Sequence, residues 1–340
     1  MIEVRRTPIT GPSVWNGKDL ESRDDWVVSW TQREIAEIDA ALRSTQARGI
    51  PTFEIRKEDF PIPSFAARAP ALSEEIENGR GFIVMRGFPV GRYTKDEAEA
   101  IFWGIGTQLG EAVSQNARGE LISHVTDKGL RFGAAEVRGY ETQSDLFFHN
   151  DHGDVVGLLC LHTAKEGGRS KLVSSAAIYN DILEHHPEYI DELCRGYFYH
   201  MRGENQPGAP QVTEHRVPVF SWYQGRLSSR LAKNAIVLGE AQMGHPLSER
   251  ERAPLDYIDE ACERLCVSMW LNQGDMQFVS NYSVLHARTQ FVDFDEPEKK
   301  RHLLRLWLNL SISRPLTYEF ATRYGPGTAR RGVPPVVVAA

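Results

Sequence analysis

The sequence predicts a mainly β fold with helical decoration, an α+β jelly roll or barrel with an N-terminal helical portion packed outside it. Three observations carry this expectation. From residue 145 onward the chain breaks into short β-type runs bounded by Gly, Pro, Asn or Asp. Those runs do not alternate regularly with helices, which argues against a doubly wound parallel sheet. One of them, "KRHLLRLWLNLSI", separates into two chemically different faces at a period of two.

In chain order, Thr31 and Glu34 form a capping-box pair that opens a helix expected to end near Gly49. "RGFIVMRGFPV" (80–90) reads as a short apolar strand bounded by glycines, and Thr94 with Glu97 opens a second helix through "AEAIFWGIGTQLG". Gly104, Gly106 and Gly110 in that helix come near a dinucleotide fingerprint, but the spacing is wrong and the glycines close a helix instead of opening one after a strand. Strand-type runs follow at "DVVGLLCLHTA", "GYFYHM", "RVPVFSWYQG", "VSMWLNQ", "DMQFVSNYSVLHART" and "RHLLRLWLNLSIS", interrupted by helices at "SAAIYNDILEHH" and "LSERERAPLDYIDEACERL". No internal repeat or long linker divides the chain.

Composition narrows the function classes. The 340 residues are 41% apolar and 25% charged, as in ordinary globular proteins. With 39 basic against 46 acidic side chains, the net charge of −7 lacks the basic footprint that nucleic acid or an anionic membrane would need. Cys160, Cys194, Cys262 and Cys266 are too few and too scattered for a disulfide scaffold and read as buried or incidental thiols. No stretch approaches the ~18 apolar residues of a membrane span. A reduced, soluble, cytoplasmic protein is the expectation, and composition leaves a homo-oligomer open.

The stretch "DLFFHNDHGDVVGLLCL" (145–161) holds two His-x-acid triplets. Residues two apart on a strand point to one side, so His149 and Asp151 would converge on one point. His286, at the end of another strand-type run, supplies a third ligand of the right kind. Two imidazoles and one carboxylate on one side of an ion form the facial triad of non-haem Fe(II) oxygenases. A lone H-x-D is common, and a hydrogen-bonded surface pair is the bland alternative. In the C-terminal run, Arg301, Leu303, Arg305, Trp307 and Asn309 share one face, and the leucines at 304, 306, 308 and 310 the other. Arginines facing a barrel interior need anionic partners, either an organic-acid co-substrate held bidentately or protein carboxylates near the rim.

"FFHNDHGDVVGLLCL…EGGRSKLVSS", "LNQGDMQFVSNYSVLHARTQF" and "KKRHLLRLWL" together resemble the TauD/TfdA-like Fe(II)- and 2-oxoglutarate-dependent dioxygenases, in the clavaminate synthase-like superfamily. The resemblance is densest from about 145 to 312 and implies a double-stranded β-helix. It divides the chain into an N-terminal helical extension (1–75) and a dioxygenase jelly-roll domain (76–340), forming one compact unit. It assigns His149, Asp151 and His286 as iron ligands, Arg301 and Ser170 to 2-oxoglutarate, and Arg305 to an acidic group on the substrate. Gln115, Asn116, Asn281 and Trp307 are candidate lining residues. The cofactor and co-substrates implied are Fe(II), 2-oxoglutarate and O2, with hydroxylation of an unactivated C–H bond and release of succinate and CO2. Desaturation or cyclisation by the same machinery, a zinc hydrolase or isomerase on the same barrel, and a non-catalytic binding protein are the rival readings. His152 and Asp154 fall on a bend at Gly153 and read as turn or pocket residues.

Overall fold

A computed structural model describes residues 4–130, 139–205, 208–318, 320 and 332–335. The last residues of the segment expected as 76–340 lie outside this set. Two antiparallel sheets organise the chain. The larger places its strands in the order 27–29, 82–86, 276–280, 155–162, 302–310 and 110–113, with 122–125 also pairing to 302–310. Among the described strands, only the edge strand Val27–Ser29 runs parallel to its neighbour. The smaller sheet has the order 267–269, 170–174, 284–288, 146–149.

The alternation read from the last strand is realised over His302–Leu310. Leu304, Leu306, Leu308 and Leu310 pack in a core with Ile101, Phe102 and Ile105 of the helix Lys95–Leu109. Leu303 and Trp307 turn the other way, into a core shared by Val84, Val156 and Val279 of the large sheet and Leu172, Met269 and Val284 of the small one. The same parity recurs along Phe82–Arg86, where Ile83 and Met85 meet the helices and Phe82 and Val84 the inter-sheet core. A third core joins the outer face of the small sheet to the helices Ser175–His185, Tyr189–Arg195, Lys233–Gln242 and Glu249–Leu265. The result is a jelly roll with helices on both outer faces.

Both expected capping boxes form, at Thr31 with Glu34 and at Thr94 with Glu97, and the helices they open end at Ala47 and Leu109. The glycines of "GIG" serve close packing. A Cβ on Gly104 would sit 2.5 Å from the Phe60 ring, and one on Gly106 2.5 Å from Leu306 Cδ2.

Two expectations change. "GYFYHM" is not a strand but a segment with isolated bridges from Tyr197 to Val217 and from His200 to Val212. "DMQFVSNYSVLHART" is two strands, Met276–Ser280 in the large sheet and Val284–Arg288 in the small one. The corner between them is held by Asn281, whose side chain donates to His152 O and Gly153 O and accepts from the Asp151 amide. The N-terminal residues also do more than cover the outside, since Val27–Ser29 completes a sheet edge and Trp15 and Trp26 enter the inter-sheet core.

Leu306 is fully buried between sheet and helix. Leu306→Ala is expected to lower stability by about 2–5 kcal/mol in urea unfolding, because a helix carrying Gly106 at its contact cannot collapse into the space.

Candidate metal and co-substrate site

His149 ends the strand Leu146–His149 and pairs directly opposite His286 in the small sheet. Their rings approach to 4.3 Å between centroids. Asp151 lies just past the strand end, where Asn150 pins the chain: its amide side chain donates to Val284 O and accepts from Leu231 N. The carboxylate stands 3.8 Å from His149 Nε2 through Oδ1 and 3.7 Å from His286 Nε2 through Oδ2. One ligand atom from each residue lies within 4.8 Å of the others, the single such group found among the described residues.

His149 and Asp151 are in the state a metal requires of its ligands. His149 Nδ1 lies 2.8 Å from Phe147 O, which places the ring proton there and leaves the Nε2 lone pair facing Asp151. Burial, and then the neighbouring His286, push the His149 pKa down to about 4, so its imidazole is neutral near pH 7. Burial alone would raise the Asp151 carboxyl, but the Arg305 guanidinium and the two imidazoles outweigh it and hold it well below the usual carboxylate range. Two imidazoles and one ionised carboxylate are a donor set that fits a divalent first-row ion such as Fe(II).

A cavity of about 60 Å³ runs inward from this group, and Ser170, Gln277, Arg288 and Arg301 line it together with the triad. Ser170 Oγ donates to Gln277 Oε1 at 2.9 Å. The Arg301 guanidinium is buried and has no hydrogen-bond or ion-pair partner among the described residues, its nearest aromatic neighbour being Phe291 at 5.1 Å. Burial pulls its pKa down to about 10. The glycines of "EGGRS" make room for it. Gly167 and Gly168 both have positive φ, and a Cβ on Gly168 would lie 3.2 Å from Arg301 Nε.

Arg288 and Gln277 were missed by sequence reasoning. Arg288 donates to Thr142 O and Ser144 O, and burial, then the Arg301 charge, lower its pKa to about 9. Strand parity was the available signal, because Arg288 lies two residues beyond His286.

A larger cavity of about 320 Å³ opens over the other side of His149 and Asp151, lined by Gln115, Arg305 and Trp307 and by Arg202, Glu204, Lys233 and Asp259. Arg305 Nε donates to Gln115 Oε1 at 2.7 Å, and its Nη1 lies 3.4 Å from Asp151 Oδ2. Trp307 Nε1 donates to the same oxygen at 3.0 Å. The two guanidinium groups of the C-terminal run therefore differ: that of Arg305 meets the Asp151 carboxylate, and that of Arg301 meets no carboxylate within ion-pair distance among the described residues. Asn116 lines neither cavity, since its amide donates to Glu120 Oε2 at 2.6 Å within a loop. Asn281 is a buried corner residue instead of a cavity wall. Asp154 is buried and accepts from Leu310 N and Ser313 Oγ, and His152 lines the larger cavity beside Trp307.

Residues 45–307 match the profile of the taurine catabolism dioxygenase TauD, TfdA family. The chain belongs to this family. It is 32% identical over 338 residues to FR-33289 synthase of Streptomyces rubellomurinus, covering 97% of this chain and 99% of that one. It is 31% identical over 303 residues to the taurine hydroxylase-like protein SAT17 of Stachybotrys chartarum, covering 86% and 77%. Among solved structures, asparagine oxygenase with Fe(II), hydroxyasparagine and succinate aligns with a TM-score of 0.64 at 20% identity, over 83% of this chain and 93% of that one. The non-haem iron oxygenase OrfP with Fe and alpha-ketoglutaric acid aligns at 0.59 and 15%, over 83% and 94%. This TauD/TfdA-family protein is an Fe(II)- and 2-oxoglutarate-dependent dioxygenase acting on a small molecule. Among the described residues no helix is long and apolar enough to cross a membrane.

His302 shares the depressed basicity of His149, with burial and then His124 bringing its pKa to about 4. Both folded values lie below the usual 6.5, so between about 6.5 and about 4 the unfolded chain binds more protons and stability falls as pH drops. Metal-free protein should show a lower urea midpoint at pH 5 than at pH 7, and His302→Gln should flatten that difference. Equal midpoints at the two pH values would contradict the burial argument.

Proposed function

We propose that His149, Asp151 and His286 hold the iron, that Arg301 and Ser170 receive the far carboxylate of 2-oxoglutarate in the small cavity, and that a small amino or organic acid is hydroxylated in the larger one. The observation that carries this reading is the Arg301 guanidinium, buried at the inner wall with no acceptor of its own among the described residues. A buried unpaired cation is costly, and a planar carboxylate offers the matching fork. Gly168 leaves the approach open, and Ser170 Oγ can turn from Gln277 to the incoming oxygen.

Bound iron with 2-oxoglutarate and O2 supplies the oxidising power that cleaves a C–H bond, while 2-oxoglutarate loses CO2 to become succinate. The chain's own residues position and shield. His149 keeps its Nδ1 proton on Phe147 O, so its other nitrogen stays available to an ion. The apolar side chains of Val156, Leu158, Leu271 and Leu303 keep water from the inner cavity. The outer cavity carries both signs of charge, from Arg202 and Lys233 and from Glu204 and Asp259, which suits a polar substrate bearing a carboxylate and a second charged group. The hydroxyasparagine bound in asparagine oxygenase and the hydroxy-L-Arg bound in an OrfP variant favour the same substrate class. Four free cysteines accord with a cytoplasmic setting.

Arg301→Ala should weaken 2-oxoglutarate binding at least ~10-fold, the scale of one lost charge-assisted pair, while Fe(II) binding persists. Unchanged 2-oxoglutarate affinity would sink the assignment. A panel of amino and organic acids, scored by O2 uptake coupled to succinate release, identifies the substrate. Fe(II) and 2-oxoglutarate added without O2 should give a weak visible charge-transfer band.

A further inference from the structure

The two oxygens of Asp151 are treated differently by the protein. Oδ2 accepts the Trp307 indole N–H at 3.0 Å and lies 3.4 Å from Arg305 Nη1. Oδ1 receives no hydrogen bond among the described residues and faces His149 Nε2 at 3.8 Å. The donors on Oδ2 are themselves fixed. Arg305 Nε donates to Gln115 Oε1 at 2.7 Å, and the Gln115 amide donates to Arg305 O at 2.6 Å and Leu121 O at 2.8 Å. The Arg305 guanidinium also lies 4.9 Å over the Trp307 ring. Both donors share the inward face of one strand, two residues apart, and all four side chains are buried.

We propose that Trp307 is a positioning residue for the metal: with Arg305, anchored by Gln115, it occupies Asp151 Oδ2 and presents Oδ1 alone to the ion. The physical reason is competition for lone pairs. A carboxylate whose second oxygen is bound by an indole N–H and a guanidinium gains little by turning both oxygens to a cation, and its rotation is blocked by two packed, planar groups. One-oxygen ligation keeps open a coordination position that a two-oxygen grip would fill. Arg305 is thereby committed in large part to Asp151, which shifts recognition of a substrate acid towards the outer wall.

This inference rests on the proposed metal triad, and its test separates the two. Trp307→Phe keeps an aromatic ring in the core and removes the N–H together with the five-membered part of the indole. Fe(II) is titrated anaerobically into metal-free protein without 2-oxoglutarate or substrate, and affinity is read by equilibrium dialysis. Trp307→Phe is expected to bind Fe(II) ~10-fold or more weakly, as when an outer partner of a metal ligand is lost, beyond the lower apo melting temperature that the lost indole volume brings. Gln115→Leu, which leaves Trp307 in place and releases Arg305, should weaken Fe(II) binding in the same direction by less, and it decides the matter if Trp307→Phe does not fold. A merely structural role would lower the melting temperature and leave Fe(II) affinity unmoved. Wild-type affinity in the folded variants overturns the inference while leaving the triad standing. A wild-type protein that binds no Fe(II) overturns the triad itself.

Discussion

The pairing of His149 opposite His286 is the constraint on which the rest of the site depends. It is a cross-strand contact in a four-stranded sheet, so its geometry is set by register and not by either histidine. A slip of one residue would send His286 to the far face, into the core formed with the outer helices. Register is protected at the corner, where Asn281 ties the turn between the two sheets to the backbone around Asp151 and His152. Asn150 does the same from the other side through Val284 O. Two buried amides thus hold the metal motif and the His286 strand to one another, which explains why polar side chains occupy an otherwise apolar junction.

The inner cavity poses a charge problem, since Arg288, Arg301 and Arg305 all line it. Each guanidinium meets it differently. Arg288 spends its Nη groups on backbone carbonyls and so braces the segment that leads into the metal motif. Arg305 shares its charge with Asp151 and its Nε with Gln115. Arg301 finds no acceptor among the described residues. In a low-dielectric wall that asymmetry cannot be a matter of indifference. It is the ground for proposing that the co-substrate's carboxylate binds there and not at Arg305.

Much of this was legible from periodicity. Alternation along "RHLLRLWLNL" separated the leucines that meet the helices from the residues that face the interior, and the two capping boxes located their helices to within two residues. The H-x-D motif and the distal His286 were readable as ligand types, although Asp151 lies beyond the strand end and reaches the site through a pinned loop. Long-range contacts were the illegible part. Nothing local in "NYS" says that the chain changes sheets there. Asn116 looked like its neighbour Gln115, yet one position on, in an Asn-x-x-x-Glu turn, the amide is spent on Glu120. Arg288 was visible by parity with His286, but its carbonyl partners come from 142 to 144, far away in sequence.

The strand His302–Leu310 joins these points into one argument. It pairs with Val155–His162 along one edge and with both Ile122–Val125 and Gly110–Val113 along the other, so it is fixed from both sides over nearly its whole length. Its inward residues, together with Arg301 just before it, serve three tasks in sequence order. Arg301 and Leu303 line the inner cavity, Arg305 stands between the cavities, and Trp307 lines the outer one and donates to Asp151. Because successive inward residues are about 7 Å apart on a strand, a rigid strand spaces the proposed co-substrate anchor, the donors to Asp151 and the wall of the outer cavity without any of them depending on a loop. Motion of this strand would disturb all three at once. That is a physical reason for the leucines on its other face to be packed so completely against the helix that carries Gly106.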